Sequence, residues 1–415
     1  MFFVACIERY MSLNSTAGLE NTLLWRFGRR LVYFVTFHLF AEFFLQPHIR
    51  ALSPMKNSLP ADKNMSMQNS ERLSLWDNAK FILMTLVVIG HFADTYESSS
   101  ALLRGVTLFL YSFHMPAFIF ISGLFCKSAA QRRDFPLKKA AVYLKLFLLV
   151  QILIYIAVKL TVYPPYKLRL LTINTAAWFG FALFAFYALT WIISGVKGIY
   201  TLPAAIAISC FCGYLENLGD FLVLSRILVF YPFFLAGYLT PLDRIAALLE
   251  RRVLKYASAV FLAAIASAIY LSGAYAESPY TFLMSLFRGR FSFSAVAAAS
   301  FAPAVPWFAV RGTHLIFSAA MTLAVFAVIP AGASFLTKLG QRTLSVYAFH
   351  MPVLYALRQI NIDTHLTNIF GSGWAAAYLL TAVAASFILS AEPLAKLVTR
   401  IIRSAGKQQN ITICK

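Results

Sequence analysis

Apolar runs, most of them about 17–25 residues long and each able to cross a bilayer as one helix, recur along most of this chain. Strong runs lie near residues 81–96, 105–126, 140–162, 176–194, 199–215, 221–239, 253–272, 314–331, 343–357 and 373–391. Composition agrees with this pattern. Of 415 residues, 60% are hydrophobic and only 13% are charged, against about 25% charged in soluble domains. The fold class predicted is an all-α polytopic membrane protein, a bundle of about ten transmembrane helices. A further apolar patch, 291–310, is interrupted by Pro303 and Pro306 and reads either as an eleventh span or as a partly buried loop.

Lys and Arg number 36 against 16 Asp and Glu, a net charge of +20. In a soluble chain that surplus would suggest nucleic acid as partner. Here the positive residues gather in alternate short loops: Lys127, Arg132, Arg133, Lys138 and Lys139 after the second run, then Arg244, Arg251, Arg252 and Lys255 after the sixth. That distribution is the positive-inside signature, so the partner is the lipid bilayer and no nucleic acid is expected. The same rule favours about ten spans over eleven. With ten, Lys338, Arg342, Lys396, Arg400, Arg403 and Lys407 are cytoplasmic together with both termini. Residues 273–313 then form a long external or membrane-dipping segment carrying Arg288, Arg290 and Arg311.

The chain divides into an N-terminal extension over 1–70, a membrane domain over 71–403 and a cytoplasmic tail over 404–415. The extension has one short apolar run, 31–45, interrupted by His38 and Glu42, and shows no secretory signal peptide. Met55, Met65 and Met67 offer internal starts ahead of the first strong run, so the extension reads as untranslated or poorly ordered. Cys6, Cys126, Cys210, Cys212 and Cys414 form no CxxC pair and have no His at metal spacing, so neither a disulfide nor a metal is expected. FHMP occurs at 113–116 and again at 349–352 without neighbouring similarity, which makes two His-Pro features rather than a duplicated half.

Ionisable groups inside apolar runs are costly, about 2.5–3.5 kcal/mol each on insertion scales, and so point to function. His91 lies eleven positions after Lys80 in LWDNAKFILMTLVVIGHF, on the same helix face and about 16 Å deeper. An imidazole there can act as acid or base near neutrality. His114, on the next run, reaches a similar depth from the opposite direction and could meet it. Both histidines could instead bond backbone carbonyls and only hold the bundle together. Asp77 and Lys80 have the spacing of a helical ion pair. Lys80 either snorkels to headgroups or contacts an anion at the cytoplasmic mouth, and Asp77 either caps the helix or orients a base. Arg226, well inside its run, needs an anionic or carbonyl partner, as substrate contact or as helix tie. Trp178 and Tyr231 line a cavity or pack. His350, beside Pro352, is structural or functional. Ser122 lacks a GxSxG context and is not expected to be a nucleophile.

The stretches WDNAKFILMTLVVIGHF, FHMPAFIFISGLFCK, YPFFLAGYL and LGQRTLSVYAFHMPVL resemble the integral membrane acyltransferase type 3 family, in particular its fucose 4-O-acetylase-like branch. The similarity covers most of 72–395. In that family a basic residue and a histidine with ten residues between them mark the first helix. Lys80 and His91 match this, with lysine where arginine is usual. The resemblance implies His91 as the essential histidine, Asp77 as its acidic companion and His350 as the late-span histidine. It implies acyl transfer, commonly of acetyl from cytoplasmic acetyl-CoA, to hydroxyls of envelope sugars or lipid-linked precursors. The location implied is a bacterial inner membrane. No permanently bound cofactor is expected, acetyl-CoA being the donor substrate. The predicted site is therefore His91, Asp77 and His114 for catalysis, with Lys80, Arg226, His350 and Trp178 for substrate. The competing class is a secondary transporter, whose intramembrane His, Asp and Arg would carry protons or solute.

Overall fold

The computed structural model describes residues 63–126, 137–161, 167–271, 276–303 and 305–403. The N-terminal residues 1–62, the basic loop at 127–136, the tail from 404, and Cys6 and Cys414 lie outside the described residues. Among those described, every regular element is a helix, apart from one isolated bridge between Thr172 and Phe221.

The helices are α1 (Lys63–Thr95), α2 (Ala101–Tyr111), α3 (His114–Leu124), α4 (Leu137–Leu160), α5 (Trp178–Ile192), α6 (Gly198–Phe211), α7 (Leu224–Leu239), α8 (Leu242–Leu249) and α9 (Arg252–Leu271). They continue with α10 (Glu277–Arg288), α11 (Phe293–Ala299), α12 (Trp307–Val328), α13 (Phe335–Gly340), α14 (Thr343–Gln359), α15 (Ile362–Phe370), α16 (Trp374–Leu389) and α17 (Glu392–Arg403).

Six segments are long and apolar enough to cross a bilayer: Ser74–Thr95, Ala101–Leu124, Ala140–Leu160, Arg252–Leu271, Trp307–Val328 and Ile362–Leu389. A seventh is α7 joined to α8, although the two are bent by 95°. The sequence expectation of about ten is therefore met only in part. The other apolar runs spend residues on turns. Leu222 and Val223 adopt left-handed conformations just before α7, and α5, α6 and α14 come out at 15, 14 and 17 residues. The 291–310 patch holds the short helix α11 and the start of α12.

Small residues let the central helices approach. A β-carbon at Gly123 would collide with the Phe234 carbonyl, and one at Gly237 with the Phe120 carbonyl, so α3 and α7 cross backbone to backbone. Between α2 and α3 the helix breaks at Ser112–Phe113, where Pro116 can neither donate to the Ser112 carbonyl nor sit beside it. At the opposite end of the bundle Gly340 packs against the Asp77 carbonyl, bringing the end of α13 onto α1. Asn78, fully buried, donates to Pro330 O at 2.8 Å and Gly332 O at 2.9 Å and accepts from Thr337 at 2.8 Å and Ser334 at 3.3 Å. All its hydrogen-bonding capacity is used to lock α1 to the loop before α13. Helix α17 buries Val398 and Ile402, while its Glu392 pairs with Arg342 at 3.1 Å.

Candidate active site

A cavity of about 440 Å³ runs inside this bundle, with Asp77, Lys80 and Gln341 at one end and His91, His350 and Trp178 among its remaining lining residues. Among the helices that line it, α1 gives Asp77, Lys80 and His91, α3 gives Met115 and Phe118, α5 gives Trp178, and α14 gives Tyr347 and His350, with α4, α13 and α17 completing the wall. Tyr347 fixes α5 on α14 by donating to Ala176 O at 2.9 Å and accepting from Gly180 N at 3.3 Å.

At the first end, the Lys80 ammonium lies 3.0 Å from Asp77 and 5.2 Å from the Phe125 ring centre. The two charged side chains are only 13% and 16% exposed, so Lys80 turns into the cavity rather than snorkelling to lipid. Gln341 donates to the second Asp77 oxygen at 3.1 Å. Asp77 is thus a local partner of Lys80. It cannot orient His91, which is fourteen residues along α1 and about 21 Å away by helical rise. The structure thus places Asp77 with Lys80 and Gln341 and not with His91.

His91 is half-buried, with its accessible face in the cavity, and neither ring nitrogen is hydrogen-bonded among the described residues. Its nearest imidazole is His350, at 5.3 Å between ring centres and a tilt of 34°. His350 is fully buried and places Nδ1 2.9 Å from Tyr347 O and 3.2 Å from Val346 O. A carbonyl only accepts, so Nδ1 carries the proton and Nε2 the lone pair. That Nε2 is buried and has no partner among the described residues. An arrangement of this kind supplies two nitrogens able to accept a proton or attack an acyl carbon, with few competing bonds.

The expected meeting of His91 with His114 does not occur. His114 Nδ1 is 2.7 Å from Leu110 O, in the break between α2 and α3, and its ring packs 4.7 Å from Tyr111. Tyr111 in turn stands edge-on to His91 at 6.4 Å. His114 lies outside the cavity lining, shoring up the tyrosine that backs His91. Tyr231 likewise faces away, bonded to Thr190 at 3.1 Å.

Beyond His91 lies a layer of ion pairs that sequence reading left unassigned. Arg288 pairs with Asp94 and approaches Glu97 at 3.8 Å. Tyr111 donates to Asp94 at 3.3 Å, and Tyr280 donates to Glu97. Burial, reinforced by the neighbouring Asp94, raises the Glu97 carboxyl to about 7. Arg290 pairs with Asp220, whose other oxygen is 3.5 Å from Arg226. The Arg226 guanidinium sits 5.0 Å over the Trp178 indole and is buried. Arg288 ends α10 and Arg290 follows the turn at Gly289, whose φ of 62° a side chain would strain. Ser225 bonds Gly289 O at 2.9 Å, and buried Arg311 bonds Leu286 O at 2.9 Å, so the turn is anchored from two sides. The sequence signal for this layer was the arginine trio in a segment otherwise apolar. Its acidic partners, on two other stretches of chain, carried no signal.

No curated protein and no solved structure matches the chain. A family model described as an acyltransferase domain matches residues 74–391, a range that contains Asp77, Lys80, His91, Trp178, Arg226 and His350. With most of its length matched, this chain belongs to the acyltransferase type 3 family of membrane O-acyltransferases.

Proposed function

We propose that the protein transfers an acetyl group from cytoplasmic acetyl-CoA to a hydroxyl of a cell-envelope polysaccharide or its lipid-linked precursor, in the manner of the fucose 4-O-acetylase-like branch. The observation that carries this reading is the single cavity joining the Lys80 end to the facing imidazoles of His91 and His350. Lys80 serves the polyanionic donor as a point charge, held inward by Asp77 and relayed to α13 by Gln341. The thioester then lies along the cavity toward His91. The imidazole takes the proton of the acceptor hydroxyl, the oxygen attacks the thioester carbonyl, the carbon–sulfur bond breaks, and the leaving thiolate recovers the proton. The covalent variant runs through an acyl-histidine whose carbon–nitrogen bond the acceptor oxygen later replaces.

The ten-span topology belongs to the same reading. The shorter helices α5, α6 and α14 and the bent α7 each cross with the longer ones, which returns Asp77, Gly340 and Ile402 to one membrane face. The basic loops support a cytoplasmic side for that face and both termini, and the membrane in this reading is a bacterial inner membrane.

Membranes bearing wild type or His91→Ala, supplied with acetyl-labelled acetyl-CoA and scored for label in polysaccharide, test the proposal. Equal labelling by the two rejects the role of His91. Solute uptake with no acetylation by the wild type favours the transporter.

A further inference from the structure

Arg226 is a buried charge whose hydrogen-bonding capacity is only partly used. Its Nη1 is buried with no hydrogen-bond partner among the described residues, and the facing Asp220 Oδ1, although 3.5 Å from Nη2, is likewise buried without a hydrogen bond among them. The other Asp220 oxygen is taken by Arg290. A buried guanidinium nitrogen without an acceptor carries a desolvation cost that no hydrogen bond offsets, so a missing acceptor is the economical explanation. The position shows what that acceptor belongs to. Arg226 lies against Trp178, and Trp178 lines the cavity that His91 faces. Lys80, the cation suited to the donor, is at the opposite end of the cavity, about 16 Å along α1 from His91.

We propose that Arg226, with Arg290 beside it, is the subsite for an anionic group on the acceptor, a carboxylate or a phosphate that takes over the guanidinium from Asp220. The planar fork of arginine fits either group in two parallel hydrogen bonds. Trp178 offers its other surroundings to the sugar or chain that bears the charge. The neighbouring ion pairs reinforce the preference. Arg226, Arg288 and Arg290 stand against Asp94, Glu97 and Asp220, and a Glu97 carboxyl raised to about 7 leaves the layer with excess positive charge near neutrality. The substrate class is accordingly an acidic glycan or a phosphate-linked lipid carrier rather than a neutral free sugar. This inference rests on the acceptor reaching the cavity from the side of Trp178, as the proposed transfer requires.

The test uses the purified full-length protein in detergent and two matched pairs of probes, a glucuronate-containing disaccharide against its glucose counterpart and farnesyl phosphate against farnesol. Equilibrium binding should favour the anionic member of at least one pair by about tenfold or more. Preference in the sugar pair identifies a carboxylate, and preference in the farnesyl pair identifies a carrier phosphate. Arg226→Gln should erase the preference and Arg226→Lys should keep part of it. Equal binding of charged and neutral probes to wild type, absence of binding by any anionic probe, or a preference that survives Arg226→Gln overturns the proposal. Acetyl-CoA binding by the same samples reads the Lys80 end separately. Its absence from wild type with the anionic preference intact would count against the transferase reading and leave the Arg226 subsite standing.

Discussion

His350 faces His91 across 5.3 Å, with its Nδ1 proton committed to the backbone of α14 and its Nε2 free. In the proposed function the two imidazoles, from the first and a late helix, act as one unit. His350→Ala should then lower labelled acetyl transfer by about 100-fold or more, a general acid–base contribution. The double variant with His91→Ala should be little worse than either alone, because residues acting as a unit are not additive. Additive losses would separate them.

Asp77 keeps Lys80 turned into the cavity, and in the proposed function that ammonium holds the donor. Lys80→Ala is expected to raise the KM for acetyl-CoA by about tenfold while leaving kcat within a few-fold, the pattern of lost ground-state binding. Lys80→Arg should retain or raise activity, since a fork grips phosphate at least as well as a point charge. Steady-state kinetics with varied donor distinguishes these outcomes.

At the α3–α7 crossing, Gly123→Ala places a methyl group against the Phe234 carbonyl and Gly237→Ala does the same at Phe120. Backbone cannot swing aside like a side chain, so each should destabilise by about 1–3 kcal/mol or more. Thermal unfolding of the purified variants in detergent gives the measure, with a clear fall in the midpoint expected for each.

Glu97 introduces a pH dependence whose sign follows from its raised carboxyl. The folded protein retains the proton up to about 7 whereas an unfolded chain releases it near 4.5. In that window the unfolded state binds fewer protons, so this group makes stability fall as pH rises from about 4.5 to about 7. Glu97→Gln should flatten that part of the curve, which unfolding midpoints taken across the window would reveal.

The apolar runs were legible as helices because hydrocarbon demands internal backbone satisfaction. The functional ends of α1 were legible too, since Lys80 and His91 share a face at a spacing any helix imposes. Short-range relations such as the Asp77 to Lys80 pair followed from the same geometry. Turn costs were harder to read. A run of apolar residues does not announce where Leu222 and Val223 will reverse the chain or where Pro116 will break a helix, so span lengths were overestimated.

What periodicity determined about this protein was therefore the helical class, the exposed basic loops and the single-helix part of the site. Which histidine meets His91 was decided only by packing. His114 and His350 look alike in sequence, each in FHMP, yet the Leu110 carbonyl beside the α2–α3 break captures His114 while α14 carries His350 into the cavity. The salt-bridge layer of Asp94, Asp220, Arg226, Arg288 and Arg290 was likewise a tertiary matter. Local rules reach only three or four residues along a helix, whereas these contacts join groups separated by as many as 194 positions.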